Sequence, residues 1–294
     1  MTSVRRCLAR ILAARPLAGL EGLVALGLTL LAAPAFAQDR PSEDALREIE
    51  TRGRRIAGYH EAVNRARQRF QGLVPDEQKA AARFVVVDRN GAWKVIALMS
   101  SGSDPGSRSW QMLAEFGFNP KAGEVTTVER FLPPRQAPTD AMVLMRAIDV
   151  SASMIALHVP DARAPFLEAA FREPDKTYTV HLQPVPEKPG AARFGGDLLA
   201  QISSDGSKLL KAQPAHGLSP MVEVSPGAAG EPTVHSHVEG DLPTETDVAL
   251  VLDHPKIAPH LVLTPRYMFR IDQAGAITYL GANPVPPAAP GGTR

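Results

Sequence analysis

The feature that most constrains this chain lies in its first 37 residues. Arg5, Arg6, Arg10 and Arg15 precede an uncharged apolar stretch from Leu23 to Ala33, and Ala35-Phe36-Ala37 then puts small residues at the two positions a signal peptidase reads. The apolar stretch is shorter than the roughly 20 residues that span a bilayer. The pattern therefore predicts a cleaved secretory signal, a mature chain starting at Gln38, and a periplasmic or secreted protein with no transmembrane segment after cleavage. Cleavage discards the single cysteine, Cys7, which precedes the apolar run and so lacks the setting of a lipoprotein anchor. What remains must fold without disulfides, and it has neither thiolate metal ligands nor a cysteine nucleophile.

Losing four arginines and one glutamate turns the formal charge of +1 into about −2, which gives no electrostatic footprint for nucleic acid. Neither a phosphate-binding glycine loop nor a dinucleotide fingerprint occurs. The mature length is enough for one large core or two small ones.

Residues 38–74 are predicted to be an N-terminal helix. Ser42 is a candidate N-cap, and Ile49, Ile56, Val63 and Phe70 recur every seven residues beside Tyr59, Ala66 and Leu73, with Arg47, Arg54, Arg65 and Arg69 on the opposite face. Gly53 counts against a coiled coil. From Arg83 the pattern changes to strands. Phe84–Val87, a turn at 88–91 and Trp93–Leu98 form a hairpin signal. Ser101–Ser109 is expected as a loop, Asp140–Arg146 as a helix, and Met154–His158 and Tyr178–Leu182 as strands. Val185–Gly190, rich in proline and glycine, is expected to separate two α+β domains, 75–184 and 190–281. The second holds a hairpin (198–202 with 207–210), a strand at 234–237, a helix at 247–253, a strand at 260–263 and a closing hairpin (267–272 with 276–280). The tail, 282–294, is expected to be disordered.

Laying Thr139-Asp140 over Thr246-Asp247 without gaps puts Met145 on Leu252, Val150 on Ile257, Met154 on Leu261 and Ile155 on Val262. With the paired hairpins, this suggests two tandem copies of one unit.

Chemistry concentrates in the second half. In a strand, residues i and i+2 face one side, so His235 and His237 present two imidazoles together. Asp247, at the start of the following helix, can turn back as a third ligand and leave a fourth position for water, as catalytic zinc requires. The same residues also admit a simpler reading, because Thr244-x-x-Asp247 is a capping box.

His235-Ser236-His237, six residues, then Thr244-Glu245-Thr246-Asp247 resembles the JAB/MPN metalloprotease signature, H-[ST]-H, a spacer and S-x-x-D. The spacer is one residue shorter than usual, and threonine replaces serine. The resemblance covers about 193–280. It implies a JAB/MPN-like mixed sheet with flanking helices, zinc (Zn2+) on His235, His237 and Asp247, an oxyanion contact from Thr244, and cleavage of a peptide, isopeptide or other amide bond in a peptide or protein substrate. The family's general-base glutamate is missing: Arg193 stands in its place in Arg193-Phe194-Gly195-Gly196-Asp197, and arginine cannot accept a proton near neutral pH. Asp197 or Glu187 could substitute in another register. The alternatives to a hydrolase are a non-catalytic binding or assembly module of the same fold and a periplasmic metal carrier. The aligned positions of the first copy, Val128 and Arg130, carry no ligands. His181, His216, His254 and His260 are scattered and read as structural, Ser101, Ser103 and Ser219 lack a nucleophile-elbow context, and Trp93 and Trp110 read as core. No pattern specifies an oligomeric state.

Overall fold

A computed structural model describes residues 40–284, apart from 90, 102–108, 159–164, 217–220 and 228–230. The expected signal sequence, nearly all of the expected 101–109 loop and the tail after 284 lie outside the described residues. The α+β class holds: among the described residues there are four α-helices, and fourteen strands form several sheets.

Helix α1 (Glu43–Phe70) follows the heptad reading. Ile56, Tyr59, Ala66 and Phe70 are buried, while the arginine face is exposed. Ser42 takes the N-cap position without a side-chain bond. A short α2 (Asp76–Ala81) leads into an antiparallel sheet of β1 (Arg83–Arg89), β2 (Ala92–Ser101), β3 (Ser109–Asn119) and β4 (Glu124–Gln136). The apolar run in β1 is continuous because both faces are covered: Val85 and Val87 join one core cluster, Phe84 and Val86 another.

Helix α3 (Thr139–His158) packs between this sheet and a second one built from β5 (Phe166–Arg172), β6 (Tyr178–Pro184), β8 (Leu198–Ile202) and β9 (Leu209–Pro214). It is long and apolar enough to cross a membrane, yet Ala141, Leu144, Met145, Ala147, Ile148, Ser151 and Ile155 are buried within the fold. The strand expected at Met154–His158 is the end of this helix. A short apolar run has no decisive periodicity, and no breaker interrupts it before Pro160.

The remaining strands are β7 (Ala192–Phe194) paired with β10 (Val222–Val224), and a mixed sheet of β11 (Thr233–Ser236), β12 (His260–Leu263), β13 (Tyr267–Ile271) and β14 (Ile277–Ala282). Strands β11 and β12 are parallel, joined through α4 (Glu245–Asp253) and a 3₁₀ turn at Pro255–Ile257.

Two expectations about organisation give way. The segment 185–190 leads from β6 to β7, yet β6 pairs directly with β8, so one sheet takes strands from both sides of the segment; proline and glycine mark a bend there. The ungapped overlay also fails. Met154 and Ile155 are helical where Leu261 and Val262 are in β12, and Val128 and Arg130 lie on β4 at the end of an antiparallel sheet, unlike β11.

Helix α4, which carries Asp247, is held by α1. At Gly53 the helices approach so closely that a Cβ would sit 2.5 Å from Val248 Cβ and 2.8 Å from the Glu245 carbonyl. The missing side chain sets that distance.

Candidate metal centre

Strand β11 alternates in burial as its sequence predicts. Thr233 and His235 are buried, Val234 and Ser236 are not, and His237 continues the inward face. The bond from His237 N to Leu263 O (2.7 Å) extends the β11–β12 pairing and fixes that side chain's direction.

Asp247 arrives from the start of α4. Both bonds of the capping box form: Asp247 N donates to Thr244 Oγ1 (3.2 Å), and Thr244 N donates to Asp247 Oδ2 (2.7 Å). The carboxylate thus lies near the positive end of the helix. The Thr244 hydroxyl is also 2.9 Å from Thr246 Oγ1, which donates to Asp197 Oδ2 (2.7 Å). Its lone pair and its proton are both engaged within this network, so the structure gives Thr244 the work of holding Asp247. An oxyanion contact from Thr244 stays an implication of the family resemblance.

A fourth candidate ligand was not singled out by the sequence. His216 Nε2 lies 2.6 Å from Asp247 Oδ1, and His216 Nδ1 lies 2.6 Å from Asp197 Oδ1. The β8–β9 hairpin brings these residues together: Leu198 pairs with Pro214, and Ala215 N donates to Asp197 O. Gly195 and Gly196, at φ +77° and +75°, turn the chain just before Asp197, and a Cβ on Gly196 would meet Met221 Sδ at 2.4 Å. Of the two carboxylates considered as substitutes for the missing glutamate, Asp197 is buried beside this cluster. Glu187 is exposed and pairs with Arg193 (2.8 Å).

His216, His235, His237 and Asp247 each offer one ligand atom, all within 4.8 Å of one another, and this group could hold a metal ion. His235 Nε2 is 3.1 Å from Asp247 Oδ1, and His237 Nε2 is 3.2 Å from Asp247 Oδ2. Neither contact has hydrogen-bond geometry, so two buried nitrogens point at a carboxylate without bonding it. Orphaned buried nitrogens of this kind are what a cation between them and the carboxylate would satisfy.

The electrostatics follow from burial and proximity. Burial opposes charge on His216, but Asp197 and Asp247 outweigh it and hold the imidazole's pKa well above its ordinary value. Burial would raise the Asp247 carboxyl; His216, His237 and His235 pull it well below the usual range. Asp197 is lowered likewise, with His216 and Thr246 overcoming desolvation. His235 is lowered chiefly by burial, against the pull of Asp247. Phe194 walls one side, stacked 4.3 Å from His235 and 4.4 Å from His260. His181 and His254 are not among the four candidate ligands.

No family model, curated protein or solved structure matches this chain.

Proposed function

We propose that this chain is an exported zinc-binding protein that holds one ion between His216, His235, His237 and Asp247. The observation that carries the proposal is the convergence of four buried ligand atoms, two of them orphaned nitrogens, on one point. Three imidazoles and one carboxylate suit zinc and its first-row neighbours rather than magnesium or calcium, which prefer all-oxygen shells. Charge balance supports a divalent ion: Asp197 and Asp247 are 1% and 0% exposed, so a doubly positive ion neutralises two buried carboxylates.

The fourth ligand bears on function. A catalytic zinc keeps one position open for water, whereas a site with four protein ligands is closed and structural. His216 occupies the position that the His-Ser-His…Asp pattern alone leaves vacant. The reading best supported is therefore a non-catalytic binding or assembly module of JAB/MPN-like character, with the metal fixing the junction of β11, α4 and the β8–β9 hairpin.

A second reading has one observation in its favour. His216 is itself bonded to buried Asp197, as catalytic imidazoles often are. If His216 served as a proton acceptor rather than a ligand, the centre would be that of a zinc-dependent peptidase or amidase.

Zinc titration of the mature chain, with His216→Ala, His235→Ala and Asp247→Ala beside it, tests the proposal. One tightly bound zinc per chain is expected, weakened in every variant. No zinc retained by the wild type after loading would refute it. Full zinc affinity in His216→Ala would favour the hydrolase reading.

A further inference from the structure

His260 makes no contact with Asp247 in the hydrogen-bond network, yet its ring lies nearly coplanar with that of His235, 14° between the planes and 4.9 Å between the centroids, and bonds it edge to edge. The direction of each bond in that chain can be worked out from its fixed end. The carbonyl of Ile257 can only accept. Thr233 Oγ1 lies 2.5 Å from it, so the threonine proton is committed there. Toward His260 Nδ1, 2.6 Å away, Thr233 Oγ1 can then only accept, which places a proton on Nδ1. His260 is fully buried, and its two nitrogens meet Thr233 Oγ1 and His235 Nδ1, neither of them a carboxylate, so a charged ring would be buried without an ion partner; the ring is neutral and its Nε2 carries a lone pair. That lone pair lies 2.6 Å from His235 Nδ1, which must therefore be the protonated nitrogen of His235. The remaining nitrogen, His235 Nε2, is left bare and faces Asp247.

We infer that Thr233 and His260 form a positioning relay, anchored on the Ile257 carbonyl, that locks His235 into the Nδ1–H tautomer and so presents a ready lone pair to a cation before any cation arrives. The inference rests on the metal-binding proposal for its purpose but not for its geometry. It explains why a buried histidine nitrogen stands unbonded beside a carboxylate: the only proton that could have bridged them is held on the other side of the ring. The opposite arm works in the same way, with Thr246 donating to Asp197 and Asp197 bonded to His216 Nδ1. Such outer partners fix ring orientation and tautomer in metal sites, and their loss typically costs about 10–100-fold in affinity.

The test begins with the wild-type chain free of metal, which needs no variant to fold. Long-range ¹H–¹⁵N correlation spectra of the imidazoles should show His235 and His260 as Nδ1–H tautomers. An Nε2–H tautomer at His235 would overturn the relay, whatever the protein's zinc affinity. Then Thr233→Val, which keeps the shape and removes the acceptor, and His260→Gln should weaken zinc binding about 10–100-fold and shift the visible spectrum of the cobalt-substituted protein. Thr233→Ser should restore both. If Thr233→Val folds with wild-type zinc affinity and an unchanged cobalt spectrum, the relay has no positioning role. Failure of wild type to bind zinc would refute the metal proposal and leave the tautomer result standing separately.

Discussion

Replacing His216 by alanine should be costly even without metal. Its two ring nitrogens lie 2.6 Å from carboxylate oxygens of Asp197 and Asp247, and all three side chains are essentially inaccessible. Removing the imidazole leaves two buried carboxylates facing each other across a void. Breaking a buried ion pair by deleting one partner costs about 3–5 kcal/mol, and for a chain of this size each kcal/mol lowers Tm by about 2–4 °C. The metal-free variant should therefore unfold about 6–20 °C below wild type. The pH dependence gives a sharper signature. The His216 pKa is raised in the folded state, so its contribution is complete below about pH 6.5, the unfolded value, and is lost as pH rises through the folded value. Asp247 and Asp197 are depressed, so their contribution is present above about pH 4 and is lost as pH falls through their folded values. The network stabilises metal-free wild type most between about pH 4 and 6.5. His216→Ala should lose the alkaline limb of this profile. Thermal unfolding followed by circular dichroism from pH 4 to 9, with chelator present, measures both. A variant within about 1 kcal/mol of wild type and with the same alkaline limb would show that His216 does not bridge the two carboxylates.

Thr244→Ala removes the cap of α4 and should cost about 0.5–2 kcal/mol; zinc affinity should fall with it, because the same bonds hold Asp247, and calorimetry with a zinc titration would separate the two effects. Gly53→Ala drives a Cβ against Val248 and the Glu245 carbonyl, so a loss of about 1–3 kcal/mol is expected, read by denaturant unfolding; an unchanged midpoint would mean that α1 does not pack this closely on α4. His181→Leu is a control. His181 is buried, held neutral with its pKa down to about 3, and leaves Nδ1 unbonded, so stability should stay within about 1 kcal/mol or rise, and zinc affinity should not change.

Much of the ligand geometry was legible in the sequence. The two-residue period put His235 and His237 on one face, and the capping box placed Asp247 at a helix start. The hairpins and the closing strands also follow from alternation and turn residues. The failures are instructive. Met154–His158 is apolar and short, and only the continuation of α3 from Thr139 decides that it is helix. Strands β3, β4 and β5 were not anticipated. In β4 most residues are exposed, so its sequence lacks an alternating apolar face. The proline and glycine of 185–190 signal a bend as readily as a domain boundary, and the pairing of β6 with β8 across it, which decides for the bend, is long-range. His216 lies 19 residues before His235, and no spacing rule links them. Counting outward from the expected turn at 203–206 would put Asp197 opposite Ala212; it stands opposite Ala215, beside His216, because the β8–β9 pairing starts at Ile202–Leu209 and shifts register between Gln201 and Ile202. His260 is identified only by its pairing beside β11, a parallel contact made through α4.

X-ray absorption at the zinc edge of the zinc-loaded chain from Gln38 onward tests the central claim most directly. A closed centre predicts four light-atom neighbours at about 2.0–2.1 Å, the multiple-scattering pattern of three imidazoles, and loss of one imidazole in His216→Ala. A zinc with two imidazoles and bound water in the wild-type chain, unchanged in His216→Ala, would contradict the claim that His216 closes the site.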